Sequence, residues 1–250
     1  MSPSFLQQFL DAARLFVICC AESDIMRGDS AVDMANNLKK RNMAKRVPQY
    51  IAGLIVLAFG ISLVIKADVG VAPGSVIAYA VSLLTPLSVG MSSSLFHIFC
   101  VLLQAVIKRH FSPKLLLQFP LAYAFGMLLD LFLRFMNFGF PGIMYRIITL
   151  IAGTIIIGFG IRTVVGADII LAPPDALART LGDLMRVPMS RGKLVFDIIA
   201  TAVGLLLTLI FAGNAFLAAN WGTVICAVAT GPIIGLFTRL IPALDIADKV

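Results

Sequence analysis

The strongest constraint on this chain is that it states one stretch twice. Residues 51–80 read IAGLIVLAFGISLVIKADVGVAPGSVIAYA, and residues 151–180 read IAGTIIIGFGIRTVVGADIILAPPDALART. The offset is 100 without a gap, and thirteen of the 30 aligned positions are identical. Shared apolar composition scatters matches along two membrane helices. It does not readily place Gly53/Gly153, Gly60/Gly160, Asp68/Asp168 and Pro73/Pro173 at one offset. The stretch therefore reads as an internal repeat, which constrains architecture before any single residue does. Each copy is a long apolar helix, an Ala-Asp exit, and an Ala-Pro start of a short second helix. A later match, Ala124-Phe-Gly126…Leu131-Phe132-Leu-Arg134 with Ala229-Thr-Gly231…Leu236-Phe237-Thr-Arg239, sits at an offset of 105 and carries the repeat over nearly everything after residue 47.

The medium follows from composition. Of 250 residues, 60% are hydrophobic and 13% charged, about half the charge of a soluble domain. The stretch 47–65 is uncharged, as is 89–107 around His97, and each is long enough to cross a bilayer. Residues 115–136 form a further apolar run, 147–161 opens the second copy, and 198–238 reads as two spans broken near Gly213-Asn214 and Asn220-Trp221. Residues 71–84 are apolar but short, and 172–185 matches them as a more polar short element with Asp175, Arg179 and Asp183. The expected fold is all-α: a polytopic transmembrane helical bundle with an internal two-fold repeat, each half holding three long spans plus one short helix, re-entrant or half-crossing. Its parts are a cytoplasmic N-terminal extension (1–46), membrane repeat 1 (47–136), an inter-repeat loop (137–146), membrane repeat 2 (147–241) and a C-terminal tail (242–250).

Charge orients this bundle. The net charge of +7 reads as topology, because cytoplasmic loops collect Lys and Arg. If the short helices do not cross, each half has an odd number of spans and the second copy is inverted. Segments 38–46, 108–114, 162–193 and the C-terminus then carry 15 Lys/Arg on one side, against Lys66, Arg134 and Arg146 on the other. If they do cross, the copies are parallel and the bias weakens. Charge favours inversion, with both termini cytoplasmic.

The first 46 residues differ from the rest. They hold 12 of the charged residues, and Phe5, Leu6, Phe9, Leu10, Ala13, Phe16 and Val17 recur at helical spacing. Without a basic beginning, and with Asp11 and Arg14 inside, this is no signal peptide. Met43-Ala-Lys-Arg reads as a natural start, so residues 1–42 are expected to be dispensable. Cys19, Cys20, Cys100 and Cys226 show no metal-ligand spacing and read as small apolar residues; no metal site, cofactor or nucleic-acid partner is expected.

The candidate site lies at the two Ala-Pro starts. Proline at the first helical position wastes no donor, and the free N–H groups behind it carry partial positive charge suited to an anion. Two such ends meeting near mid-membrane is how broken-helix transporters build a site. Candidate substrate-binding residues are Pro73, Ser75, Pro173 and Asp175. The plain alternative is helix initiation, with Ser75 or Asp175 capping its own helix. His97 and Asp197 share the offset of 100 and join the list, because ionisable groups in a bilayer face a cavity or a partner; Asp197 paired with Lys193 is the plain reading there. Secondary candidates are Asp68 and Asp168, which also read as helix-terminal turns, and Asp130 with Arg134, four apart in the favourable order for a helical ion pair. The glycines of the long helices read as packing positions.

The order of elements, carried by GLIVLAFGISLVIKADVGVAPGSVIAYAVSLL and GTIIIGFGIRTVVGADIILAPPDALARTLGDLM, resembles the YczE/YyaS/YitT family of bacterial integral membrane proteins over about residues 47–241. Members often carry an aromatic and an acid after the first Pro; Gly74 and Ser75 stand there in copy one, whereas copy two keeps Asp175. The resemblance implies a multi-pass protein of the bacterial cytoplasmic membrane and supplies no substrate.

No phosphate loop, dinucleotide fingerprint, HExxH or nucleophile elbow is present, so an enzyme is not expected. The leading expectation is a small transporter or permease for a small, anionic solute. Its partners are the lipid bilayer, an unidentified small molecule and, in one arrangement, a second copy. The alternative is a non-transporting accessory protein that assists another enzyme or complex.

Overall fold

The computed structural model describes residues 30–109, 113–136, 142–187 and 189–241, with side chains described for 46–109, 115–136, 142–187 and 191–241. The expected amphipathic helix near residues 5–17, Cys19 and Cys20, residues 137–141 of the inter-repeat loop and the tail 242–250 lie outside them. Every regular element among the described residues is helical. In order they are α1 (Ser30–Ala67), a 3₁₀ turn (Pro73–Ser75), α2 (Val76–Leu84), α3 (Val89–Lys108), α4 (Pro113–Leu116), α5 (Gln118–Phe135), α6 (Ile143–Ala167), α7 (Pro173–Met185), α8 (Met189–Ala212), a 3₁₀ turn (Ala215–Leu217) and α9 (Trp221–Leu240).

Five helices are long and apolar enough to cross a membrane: Arg46–Ala67 within α1, α3, α6, Arg191–Ala212 within α8, and α9. The sequence reading expects six. The remaining long helix, α5, has 18 residues and includes Gln118, Asp130 and Arg134, which hold its hydropathy below that of the others. The Pro73–Leu84 unit has 12 residues and spans about 18 Å, too short for a hydrocarbon core of about 30 Å. Helix α7, at 13 residues, is short for the same reason.

Glycines set the central crossing. A Cβ on Gly53 would lie 2.9 Å from Val164 N, and one on Gly60 would lie 2.9 Å from Ile157 N. Reciprocally, Gly160 faces Leu57 Cα at 2.8 Å and Gly153 faces Val64 Cγ2 at 2.7 Å. Residue numbers rise along α1 as they fall along α6, so the two helices run antiparallel in backbone-close contact. Small residues at such a crossing gain dispersion contact that lipid chains cannot supply. The packing reading of these glycines holds. Tyr50, Leu57, Val64, Leu150, Ile157 and Val164 are buried around the crossing and belong to one core.

A second close crossing joins α3 to α5. Gly90 and Gly126 meet backbone to backbone, and Ser94 Oγ donates to Ala122 O at 3.2 Å across it. Asp130 completes this contact. Its Oδ1 accepts from Gly90 N at 2.7 Å and its Oδ2 accepts from Ser88 Oγ. The expected Asp130–Arg134 pair is thereby corrected. The carboxylate turns away from its own helix to the unpaired N–H groups at the start of α3, where the helix end favours negative charge.

Helices α8 and α9 lie outermost. Of the apolar window, 56% is buried in α1, α3 and α6, against 22% in α8 and 11% in α9. Their exposed Ile198, Leu206, Phe211, Val224 and Val228 face lipid or a partner.

Candidate functional site

Both short helices begin as the Ala-Pro motif dictates. Ala72 (φ −59°, ψ 137°) and Ala172 (φ −55°, ψ 143°) are extended, and the proline that follows opens the helix in each case. Ahead of them, Asp68 (φ 54°) and Asp168 (φ 47°) occupy the left-handed region and end α1 and α6. Asp and Asn tolerate that conformation better than most residues. This is the terminal turn that the plain reading expected. The exposed Asp68 also pairs with Arg146 at 2.8 Å and lines a mouth of about 180 Å³ with Gly70, Tyr79, Asn214 and Asn220. Asp168 is exposed and lies at no shared site with it.

The capping alternative for Ser75 and Asp175 is not what their side chains do. Neither short-helix start carries a side-chain cap. Ser75 N donates to Ala72 O at 2.8 Å, and Ala176 N donates to Ala172 O at 2.8 Å. Backbone bonds close both first turns, which leaves the Asp175 carboxylate for another partner.

That partner is Lys193 on α8. Its Nζ lies 3.0 Å from Asp175 Oδ1 and 3.3 Å from Asp197 Oδ1. The three side chains are 27%, 17% and 18% exposed, so this is a largely enclosed ion cluster. Lys193 reaches Asp175 because α7 and α8 touch backbone to backbone at Gly192, where a Cβ would press on Ala178 O and lie 2.7 Å from Gly182 N. Asp197 in turn reaches the first short-helix start: its Oδ1 lies 3.7 Å from where a side chain on Gly74 would begin. The two helix starts, Pro73–Ser75 and Pro173–Asp175, are thus brought together through Lys193 and Asp197.

Helix α3 forms another wall. Gln104 Nε2 donates to Pro173 O at 3.1 Å and lies 3.3 Å from Gln118 Oε1, both glutamines being buried. Pro73 and Pro173 are buried as well. One and two turns earlier on α3, Cys100 and His97 are buried. The His97 ring lies against Phe125 with centroids 5.4 Å apart, and its Nδ1 has no hydrogen-bond partner. Asp130 and the exposed Arg134 sit apart from this cluster, at the α3–α5 crossing and its end.

Lys193, Gln104 and Gln118 are the members that sequence reading did not place in the site. Lys193 was legible only as a partner for Asp197 four residues on. Gln104 was legible only as a lone polar residue in an uncharged run.

With Lys193 charged and both acids ionised, the cluster carries one excess negative charge inside an apolar bundle. Two helix N-termini offset part of it. Such a cluster can exchange a proton or hold a small polar solute.

A family model described as "Family of unknown function (DUF6198)" matches residues 44–239. A curated relative, the "Uncharacterized membrane protein YczE" of Bacillus subtilis (strain 168), is 27% identical over 203 residues, covering 78% of this chain and 86% of that protein. The relative carries the name that the motif resemblance pointed to. No solved structure matches.

Proposed function

Starting from membership of the DUF6198 family, to which the chain belongs, we propose that it is a small transporter or permease built from two related, oppositely oriented halves in the bacterial cytoplasmic membrane. One observation carries this reading: two interrupted-helix starts, 100 residues apart in sequence, converge on a largely buried Lys193–Asp175–Asp197 cluster. Ionisable groups inside a membrane bundle are costly to keep and mark pathways for ions or solutes. Half-helices that end within the bundle are how secondary transporters expose such groups to a substrate. The helix starts alone argue for an anion, but each already faces a carboxylate, Asp175 or Asp197, so the solute has to fit a site that is anionic in itself.

The test is flux. Purified protein in proteoliposomes is given a panel of labelled small organic anions, amines and metabolites, with Lys193→Met as the control. Uptake of one class that Lys193→Met abolishes supports the reading. No flux in any class, and no thermal shift with any of them, sinks it. A second reading, an accessory protein assisting another enzyme or complex, draws on the broad apolar surface of α8 and α9. Co-purification of a stoichiometric partner without flux would favour it.

A further inference from the structure

A second polar site lies where α1 ends and α9 begins, the mouth of about 180 Å³ lined by Asp68, Gly70, Tyr79, Asn214 and Asn220. Hydrogen bonds fix its walls. Gly222 N donates to Val69 O at 2.9 Å and Val71 N donates to Thr223 Oγ1 at 3.1 Å, so residues 69–71 are tied to the start of α9. Gly70 (φ 136°) supplies the backbone conformation that this close approach needs. On the other side, Thr208 Oγ1 lies 2.9 Å from Ala215 O and ties the 3₁₀ turn to α8. The polar groups held here have unused capacity. Asn214 Oδ1 accepts from Phe216 N at 3.0 Å, and Asn220 Oδ1 accepts from Trp221 N at 2.8 Å. Each oxygen is engaged by nearby backbone, which leaves each side-chain NH₂ as the free end. Arg146 Nη1 donates to Asp68 Oδ2 at 2.8 Å. Among the described residues, no hydrogen bond engages Asp68 Oδ1 or the Tyr79 hydroxyl. The mouth therefore offers one free carboxylate oxygen and three free donors around a space well below the about 300–1,000 Å³ of a drug-sized pocket.

We propose that this mouth binds a small zwitterion, an ammonium group beside a carboxylate, as in a short amino acid. Asp68 Oδ1 accepts from the ammonium. The NH₂ groups of Asn214 and Asn220 and the Tyr79 hydroxyl donate to the carboxylate, and hydrogen bonds to ionised groups are the strong ones. An anion alone would lie against the free Asp68 oxygen, and an amine alone would leave the three donors unused. The same class suits the inner cluster, where Asp175 and Asp197 offer acceptors and Lys193 a cation. In the orientation that loop charge favours, the mouth opens outward. Its use as an entry to the inner cluster rests on the transporter reading; binding at the mouth does not.

The chain has one tryptophan, Trp221, next to Asn220, so its fluorescence reports on the mouth. The full-length protein in phosphatidylethanolamine–phosphatidylglycerol nanodiscs is titrated with free glycine, and separately with acetate and methylammonium, which carry one half of that zwitterion each. A saturable change in Trp221 emission with glycine, at lower concentration than with either half, is the expected result. Asp68→Asn keeps the turn, because asparagine also accepts the left-handed conformation of this position (φ 54°). It should weaken glycine binding about tenfold and strengthen acetate binding, a reversal that a merely structural role would not give. Tyr79→Phe should weaken glycine binding as well. No saturable response to glycine, acetate bound by the parent as tightly as glycine, or glycine binding unchanged in both variants overturns the proposal. Glycine binding that both variants weaken, without flux of any solute, removes the transporter and leaves the site. Flux of another solute class without glycine binding removes the site alone.

Discussion

Lys193→Met tests whether the ion cluster behaves as part of the protein interior. The ammonium is shared between Asp175 Oδ1 at 3.0 Å and Asp197 Oδ1 at 3.3 Å. On an exposed surface, deleting such a cation would cost about 1 kcal/mol or less. Removing one partner from a buried pair costs about 3–5 kcal/mol, because the remaining charge is stranded. With Lys193 27% exposed and the acids 17% and 18%, the lower end applies, about 3 kcal/mol. That is on the order of a hundredfold in the unfolding equilibrium. Reversible SDS unfolding in mixed micelles, followed by circular dichroism, reads it directly. The companion variant Lys193→Met with Asp175→Asn and Asp197→Asn strands no charge and should recover most of the loss. A single variant within about 1 kcal/mol of the parent, with no recovery in the triple, would show that the cluster is solvated and refute the argument.

Gly160→Leu should destabilise by about 1–3 kcal/mol or more, because its Cβ meets the Leu57 backbone at 2.8 Å, whereas Gly231→Leu should be nearly neutral, since nothing lies within 4 Å of that position; the same SDS titration compares them. With native cysteines replaced, Ser112→Cys should resist membrane-impermeant maleimide added outside intact cells, and labelling there would refute a cytoplasmic 108–114 loop. A chain starting at Met43 should still insert and elute as a monodisperse detergent peak, and loss of that peak would show that the removed part of α1, which begins at Ser30, is structural.

The elements legible in the sequence are those fixed by backbone chemistry. Pro73 and Pro173 mark helix starts because proline suits a first turn, and Asp68 and Asp168 mark exits because few residues accept positive φ. Gly53, Gly60, Gly153 and Gly160 were readable as packing positions for a similar reason: nothing larger fits the crossing. What failed depends on a third helix. Asp130 and Arg134 have ideal helical spacing, yet Asp130 caps α3 because unpaired N–H groups there outcompete a weak i,i+4 pair. The run 115–136 reads as a sixth span from its apolar content, but Gln118 together with Asp130 and Arg134 keeps α5 out of the five helices apolar enough to cross. Convergence of the two helix starts was an expectation from symmetry. Lys193 as its centre was not, because Gly192 brings α8 against α7 and single-helix spacing cannot reveal that.

The α1–α6 crossing bears on how the two halves are oriented. Exchanging each residue for its counterpart 100 positions away turns the Gly53–Val164 contact into Gly153–Val64, and Gly60–Ile157 into Gly160–Leu57; all four contacts are present. An antiparallel pair that swaps places this way has local two-fold symmetry, which is what the inverted arrangement we propose would produce at this crossing. Inversion is also the arrangement under which loop charge is most lopsided.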